Sequence, residues 1–437
     1  MVDYELVVNY FDTALMITIA FAAVVSFYYL IYFFTFWIKD KKYPEGKIKY
    51  KYAVLIPARN EDKVISNILN SLKNQTYPAD KFDVYVIIES KDDPTYNIVK
   101  KFGYNVVIRK VLTNRQTKGF ALQDCINEIK ESGKKYDAYM IFDADNVLNS
   151  NYLSLMNDVK NQGFQIGLGY RNFTNANKNW ISATCAIMFT FMCSYTSKGR
   201  SLIFKKVTLM GTGYYVDTDI VDDAGGWIWT GMTEDTELTT YAFHHNISMH
   251  YYPYAVYYDE QPTTYKVMHN QHIRWIYGFI GNKKPFKKHK PLYNDKNKLN
   301  WAVGLYTYEV GIWPFVIFIV LQLLALITVL VLFILACVTN SQEKIMWVGL
   351  HLVLNFILFY GVFVLVGLLT VIKERKNLKL SFKTALKGIF GYFFYFVDFV
   401  FALLDGAVHP RKRSLWTKIE HKGEIMDKRA IEDSSNG

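Results

Sequence analysis

Cysteine is scarce in this sequence, and the four present exclude more than they suggest. Cys125, Cys185, Cys193 and Cys337 form no Cys-x-x-Cys pair and sit in helical or apolar surroundings, the pattern of reduced thiols rather than of a zinc site. His244 and His245 are adjacent, so on a helix or a strand they point in different directions and make a poor metal pair. Charge is absent from Thr13 to Ile38, longer than the roughly 20 residues that cross a bilayer as a helix. The residues before this run lack the basic flank of a signal peptide and carry Asp3, Glu5 and Asp12 instead, and no small-residue cleavage site follows. A retained membrane anchor over residues 1–38 is expected.

What is present agrees with a membrane protein. Hydrophobic residues make up 51% of the 437 residues, aromatics 17%, and the formal net charge is +11. Two further uncharged runs, Val310 to Gln342 and Ile345 to Ile372, are separated by Glu343 and Lys344 and predict a hairpin of apolar helices. A fourth stretch, Gly388 to Leu404, contains Asp398, and whether it crosses, re-enters or lies in the interface is left open by its sequence. Lys39, Lys41, Lys42, Lys47, Lys49 and Lys51 follow the first run, and Lys373, Arg375, Lys376, Lys379, Lys383 and Lys387 follow the hairpin. By the positive-inside rule this puts residues 39–300 in the cytoplasm, with a multi-pass plasma-membrane location. Because the basic residues cluster beside apolar runs, they are read as a topological and lipid-surface signal, with the lipid bilayer as partner and no nucleic acid. The chain divides into the anchor, a cytosolic domain over 39–300, C-terminal membrane or interfacial helices over 301–408, and a basic tail over 409–437 in which Trp416 and His421 are candidates to cap the site from below.

Residues 51–145 alternate short apolar strands with amphipathic helices. Strands are predicted at Tyr52 to Pro57, Val84 to Glu89, Asn105 to Arg109 and Ala138 to Phe142, with helices near 62–74, 93–102 and 118–132 between them. This is the pattern of an α/β, Rossmann-like parallel sheet, whose ligands bind outside the carboxyl ends of the strands. The polar motifs fall on that edge: "PARNE" with Pro57 and Glu61, "ESKDD" with Glu89, Asp92 and Asp93, and "DADN" with Asp143 and Asp145. Two carboxylates one residue apart suit a hard divalent cation, Mg2+ or Mn2+, which bridges diphosphate oxygens. Lys118, opening a helix in "KGFAL", is read evenly as a salt-bridge partner of the nucleotide's acidic neighbourhood or the diphosphate, or as a surface lysine. "NWISATCAIMFTFMCSY", residues 179–195, is too short and polar-studded for a span and is expected to pack under the domain or lie in the interface.

Further along, "TED" at 233–235 and "QHIRW" at 271–275 complete a set of four ordered motifs. Together they resemble the membrane-bound inverting glycosyltransferases of family 2, which include cellulose, hyaluronan and poly-N-acetylglucosamine synthases. The resemblance covers residues 50–280, with softer likeness to bacterial β-glucan synthases in "GTGYY", "YDEQP" and "WTKIEH". It implies a GT-A-like catalytic domain fused to transmembrane segments. It also implies that Asp145 coordinates the cation on the sugar-nucleotide diphosphate while Asp143 supports the ribose or the metal shell. Glu89 stands where the family usually has an aspartate near the nucleobase or ribose, which leaves its role and those of Asp92 and Asp93 open.

Asp235 is the expected general base, with Glu234 beside it, since inverting transfer needs one carboxylate to take the proton of the attacking hydroxyl. Helix capping by Thr233 is a compatible second role for this segment. Gln271 and Arg274, at i and i+3, share a helix face and can grip diphosphate oxygens together. Trp275 offers a platform for a sugar ring; the resemblance implies that Gly211, Thr212 and Gly213 lie near the acceptor or the donor sugar, with a purely structural turn as the equal alternative. Trp227 and Trp229 either line the acceptor path or pack the domain. The leading expectation is a processive synthase adding hexose, glucose first, from a UDP-sugar to a nascent β-glucan. The alternatives are a poly-N-acetylglucosamine or hyaluronan-type synthase and a non-processive transferase acting on a lipid carrier. A third class, a receptor for nucleotides or sugars without catalysis, is disfavoured by the intact carboxylates and Arg274. A second copy or accessory export proteins are expected to complete any conduit.

Overall fold

The computed structural model describes residues 34–109, 115–281, 313–338 and 342–410, together with Thr13 and Tyr32. The remainder of the expected anchor, residues 282–312 and the tail from 411, including Trp416 and His421, lie outside the described residues.

Strands form where β-branched and aromatic residues run together between turn-forming segments. They are β1 (Tyr52–Pro57), β2 (Phe82–Ile88), β3 (Asn105–Ile108), β4 (Ala138–Ile141), β5 (Val147–Leu148), β6 (Ile166–Phe173), β7 (Tyr214–Asp217) and β8 (Met249–Asp259). The helices are α1 (Ile65–Lys73), α2 (Thr95–Phe102), α3 (Lys118–Glu131), α4 (Tyr152–Asn161), α5 (Trp180–Phe191), α6 (Lys198–Phe204), α7 (Thr218–Asp223), α8 (Glu234–His244) and α9 (Tyr265–Gly281). One sheet holds all eight strands in the order β3-β2-β1-β4-β7-β6-β8-β5. The pairs β1–β2, β2–β3 and β1–β4 are parallel, as the alternation predicts. Beyond residue 145 the sheet becomes mixed, because β7 runs antiparallel to both β4 and β6. This reversal serves the site: Tyr214 at the start of β7 pairs with Ile141 at the end of β4, so the glycine turn before β7 lands beside the acidic triplet.

Both faces of the sheet are covered, and the strands accordingly read as continuous apolar runs rather than alternating ones. Leu55, Ile87 and Ile141 point into a core shared with α3, α5 and α8. Val54, Val86 and Met140 point into a second core under α1 and α4. The 179–195 segment begins as expected, with Asn179 and Ser182 forming a reciprocal cap on α5, but ends in a π-helical turn, Met192–Ser197, that leads into α6. Residues 181–190 of α5 are buried, so this helix packs under the domain.

Three C-terminal helices are long and apolar enough to cross a membrane: α10 (Trp313–Val338), α11 (Gln342–Lys373) and α12 (Phe382–Val408). α10 and α11 form the expected hairpin around Val329, Leu332 and Val348. The end of α11 docks on the sheet, where Tyr170 Oη donates to Glu374 at 3.1 Å and Asn172 Nδ2 donates to the Asn377 carbonyl at 3.2 Å. α12 touches the domain at both halves. Thr184 Oγ1 of α5 donates to the Gly388 carbonyl at 3.2 Å, and Tyr277 Oη of α9 donates to the Leu403 carbonyl at 2.7 Å. Its other side carries a stripe of exposed apolar residues: Phe382, Leu386, Phe390, Phe394, Phe401 and Leu404.

Candidate active site

Four chain segments converge at the carboxyl edge of the sheet, and the alternation of strand and helix brings each one there. β4 ends and delivers Asp143 and Asp145; α3 begins and delivers Lys118; the turn before β7 delivers Gly211; α8 begins and delivers Glu234 and Asp235. Lys118 is mostly buried and stands at the centre, so the surface-lysine alternative falls. Its Nζ forms an ion pair with Asp143, donates to the Gly211 carbonyl at 2.6 Å and lies 3.9 Å from Glu234 Oε1. The helix start is fixed by Thr117, whose Oγ1 accepts from Phe120 N at 3.3 Å and donates to the Thr230 carbonyl at 2.7 Å. Gly119 is required by close approach: a Cβ there would stand 2.3 Å from the Trp229 carbonyl oxygen. That contact seats α3 against the segment leading into "TED".

The acidic triplet rests on a buried polar network. Asp143 N donates to Asn146 Oδ1 at 3.1 Å and to Thr212 Oγ1 at 3.0 Å, and Asn146 Nδ2 donates to Asp259 Oδ1 at 2.9 Å. Asp259 is paired with the Arg171 guanidinium, which also donates to the Met210 carbonyl at 3.1 Å. Thr212 is wholly buried, with its hydroxyl turned to Asn146 and Asp143, so its side chain supports the triplet rather than facing an acceptor. Gly213 lies inward too, its carbonyl accepting from Tyr152 Oη at 2.9 Å. Gly211 is the member of the turn that borders the cleft, and a Cβ on it would stand 3.9 Å from Asp235 Oδ2.

Asp145 is half-buried on the same edge and accepts from Asn146 Nδ2 at 3.2 Å. Among the described residues no three His, Cys, Asp or Glu side chains gather as a closed metal site. The two carboxylates at 143 and 145 nevertheless offer the hard oxygen donors that Mg2+ or Mn2+ takes when substrate phosphates supply other ligands. Asp143 is paired with Lys118 in this arrangement.

The electrostatics of the "TED" turn follow from burial. Glu234 is pushed up to about 8 by desolvation, against the opposing pull of Lys118 and with a further push from Asp235. Asp235 is likewise raised, chiefly by burial, although Thr236 N donates to its Oδ1 at 2.8 Å. Lys118 is lowered by burial but raised more strongly by Asp143 and Glu234, and stays above the usual lysine value. Thr233 does not cap α8 through its side chain; Glu234, Asp235 and Glu237 occupy its first turn, where the helix dipole favours negative charge.

α9 brings "QHIRW" to the same place. Asp143 and Glu234 both act electrostatically on the Arg274 guanidinium, whose charge burial disfavours, so Arg274 lies within electrostatic range of the acidic groups. Gln271 lies one turn earlier on this helix and is half-buried. Gly278 seats α9 on the turn, since a Cβ there would stand 2.6 Å from Thr233 Cγ2. Trp275 packs edge-on to Phe189 at 6.0 Å and leans over Phe399 at 6.4 Å, between the catalytic domain and α12. Trp227 and Trp229 are buried against each other and pack the domain.

At the other end of the edge, Asn60 N donates to Asp93 Oδ2 and Glu61 N to Thr95 Oγ1, both at 2.9 Å. Asp93 therefore shapes the loop after Pro57. Glu89 lies 3.1 Å from Arg59 Nε and 3.8 Å from Arg109 Nη1, a basic surround that the sequence did not single out. Arg171 and Asp259 were also missed as supports; the only trace in the sequence was the unassigned "YDEQP".

Comparison with known proteins agrees with this geometry. The family model described as "Glycosyltransferase like family 2" matches residues 50–278, more than half the chain. The probable glycosyltransferase YdaM of Bacillus subtilis is 30% identical over 235 residues, covering 52% of this chain and 55% of that protein. The β-monoglucosyldiacylglycerol synthase of Trichormus variabilis is 24% identical over 246 residues, covering 54% and 50% respectively. The chain thus spans about half the length of the curated relatives it matches. Among solved structures, the mannosyltransferase PcManGT from Pyrobaculum calidifontis, in complex with GDP-Man and Mn2+, superposes with a TM-score of 0.55 at 13% identity, over 87% of this chain and 98% of that one, which supports the GT-A-like fold. The chain belongs to glycosyltransferase family 2 and is a glycosyltransferase.

Proposed function

We propose that this enzyme is a processive membrane polysaccharide synthase, transferring a hexose, with glucose first, from a UDP-sugar to the end of a growing β-glucan with inversion. The observation that carries the reading is the meeting of Arg274 with Asp143 and Glu234 around Lys118, with Trp275 one residue further along at the junction with α12. Asp235 takes the proton of the acceptor hydroxyl as it attacks the anomeric carbon. Its raised pKa makes it a stronger base than an exposed aspartate, and one base suffices for one displacement. Arg274 and Gln271 hold the diphosphate from one side, and Lys118 meets it from the other in exchange for its contact with Asp143. A divalent cation held by Asp145 and the substrate would supply Lewis-acid stabilisation of the departing diphosphate. Glu89, Pro57 and Glu61 border the nucleoside, and Gly211 and Trp275 border the acceptor.

The same reading places the domain on the cytoplasmic face of the plasma membrane, with α10 and α11 crossing as a hairpin and the polymer leaving beside them. With few spans, the conduit is completed by a second copy or by export proteins. The decisive experiment incubates the purified chain with each radiolabelled UDP-sugar and Mg2+ or Mn2+, sizes the product, and digests it with linkage-specific hydrolases. Long glucan from UDP-glucose supports the reading.

One observation favours a second reading, a single transfer to a lipid carrier: α12, which packs Phe399 against Trp275, turns an exposed phenylalanine stripe outward on its opposite side, an apolar face that a lipid could cover. A short, organic-extractable product identifies that case. N-acetylglucosamine polymer would point to the related amino-sugar synthases.

A further inference from the structure

A carboxylate in the middle of an apolar helix is costly unless something requires it. Asp398 is such a residue: it is 2% exposed, in a stretch from Gly388 to Leu404 that is otherwise uncharged. Its hydrogen bonds come from one face of α9. Oδ1 accepts from Tyr265 Oη at 2.6 Å and meets His269 Nδ1 at 2.8 Å, and Oδ2 meets His272 Nδ1 at 2.7 Å. Asp405, two turns on, meets His269 Nε2 at 3.1 Å and His409 Nδ1 at 2.6 Å. Apolar packing in place of the whole cluster could match it in stability, since buried ion pairs are often matched or bettered by apolar packing. What an aliphatic side chain could not do is fix how α9 is turned.

Tyr265, His269 and His272 follow the i, i+4, i+7 pattern of a single helical stripe. At about 100° per residue, Arg274 lies roughly 180° from the centre of that stripe, on the side where Gly278 rests against Thr233. The rotation of α9 about its axis is therefore set by Asp398 on one side and read out by Arg274 on the other. Phe399 secures the arrangement by stacking on the His272 ring at 4.0 Å.

We propose that Asp398 is a positioning residue for the transfer reaction: from the membrane-associated helix α12 it sets the rotation of α9 and so aims Arg274 at the donor diphosphate and Trp275 at the acceptor. This rests on the reading of Arg274 as the diphosphate clamp. The buried imidazole of His272 makes no hydrogen bond through Nε2 and has its pKa lowered by burial, against the pull of Asp398, as expected of a neutral ring whose Nδ1 proton is given to the carboxylate.

The test is a double-mutant cycle on the full chain in detergent, reading UDP affinity in the presence of Mn2+ by calorimetry. Asp398→Asn is expected to weaken UDP binding about tenfold, the loss of one charge-assisted hydrogen bond to phosphate, and Asp398→Glu to recover part of it. In an Arg274→Ala background the same Asp398→Asn change is expected to do nothing further. Wild-type affinity in Asp398→Asn, or effects of the two substitutions that simply multiply, would overturn the proposal. If Asp398→Asn does not fold, His269→Gln, which removes one half-buried partner, carries the same cycle. A second readout is independent of nucleotide: the emission of Trp275, taken as the difference between the chain and its Trp275→Phe variant, is expected to shift in Asp398→Asn. Failure of the unsubstituted chain to bind UDP would count against the clamp reading, and the Trp275 emission would then decide the role of Asp398 alone, an unchanged spectrum sinking it.

Discussion

The carboxyl edge of the sheet and the α10–α11 hairpin are assembled in opposite ways. At the edge, the buried Lys118, Glu234, Asp235 and Arg274 surround the half-exposed Asp143, whose charge acts on all four. Along the hairpin, cohesion comes from a small apolar contact around Val329, Leu332 and Val348, while Ile327, Leu350 and Ile357 face outward with about half their surface exposed. The first region holds its charges in place through burial and mutual electrostatics. The second is electrostatically quiet but leaves its apolar surface for a lipid environment to cover. Substitutions should therefore act through chemistry in the one and hardly at all in the other.

The sharpest break in that comparison is Asp235→Asn, expected to lower the transfer rate about a thousandfold while UDP affinity stays near wild type. Rates and calorimetry on the same preparation check it, and polymerisation at a near-normal rate would remove Asp235 as the base. Lys118→Ala comes next. It takes away the cation between Asp143 and Glu234, and an expected weakening of UDP binding of about thirtyfold reflects the loss of that positive charge and an Asp143 carboxylate left without its partner beside the diphosphate.

A third prediction concerns pH. The folded-state pKa of Glu234 is raised to about 8, so between the ordinary carboxyl range and about 8 the folded chain keeps a proton that the unfolded chain releases. Stability should fall as pH rises through that window, and Glu234→Gln should flatten the fall. Thermal unfolding of the nucleotide-free protein at about pH 5 and about pH 8 reads this; an equal slope in both proteins would assign the proton elsewhere. The smallest effect belongs to the hairpin: Ile327→Ala is expected to change detergent stability by less than about 0.5 kcal/mol, against about 3 kcal/mol for Leu55→Ala in the sheet. Comparable losses at the two positions would mean that the outward face of the hairpin is packed against protein.

Much of the catalytic half was legible in the sequence because its signals are local. β1 falls on the predicted residues, Tyr52–Pro57, and the parallel crossovers through α1, α2 and α3 follow from strand-helix alternation alone. The positions of Lys118, Asp143 and Asp235 along the chain could be read, but not their mutual distances. The antiparallel return of β7, which brings Gly211 to Lys118, depends on pairing between residues far apart in sequence. Arg171 and Asp259 escaped for the same reason: a buried ion pair across 88 positions has no local pattern. Thr212 was read as facing the acceptor because glycine turns often approach ligands, yet its hydroxyl was already committed to Asn146 and Asp143. Asp398 looked like a blemish in an apolar helix, since nothing within its own segment reveals the tyrosine and two histidines it meets.

Gly119 has an effect out of proportion to its size. The backbone on either side of it joins α3 directly to the carbonyl of Trp229, with no side chain between. A single methyl group at this joint would act as a wedge, tilting Lys118 away from the turn that holds Glu234 and Asp235. The spacing between Lys118 and the turn that holds Glu234 and Asp235 is thus kept by a residue that has nothing to project.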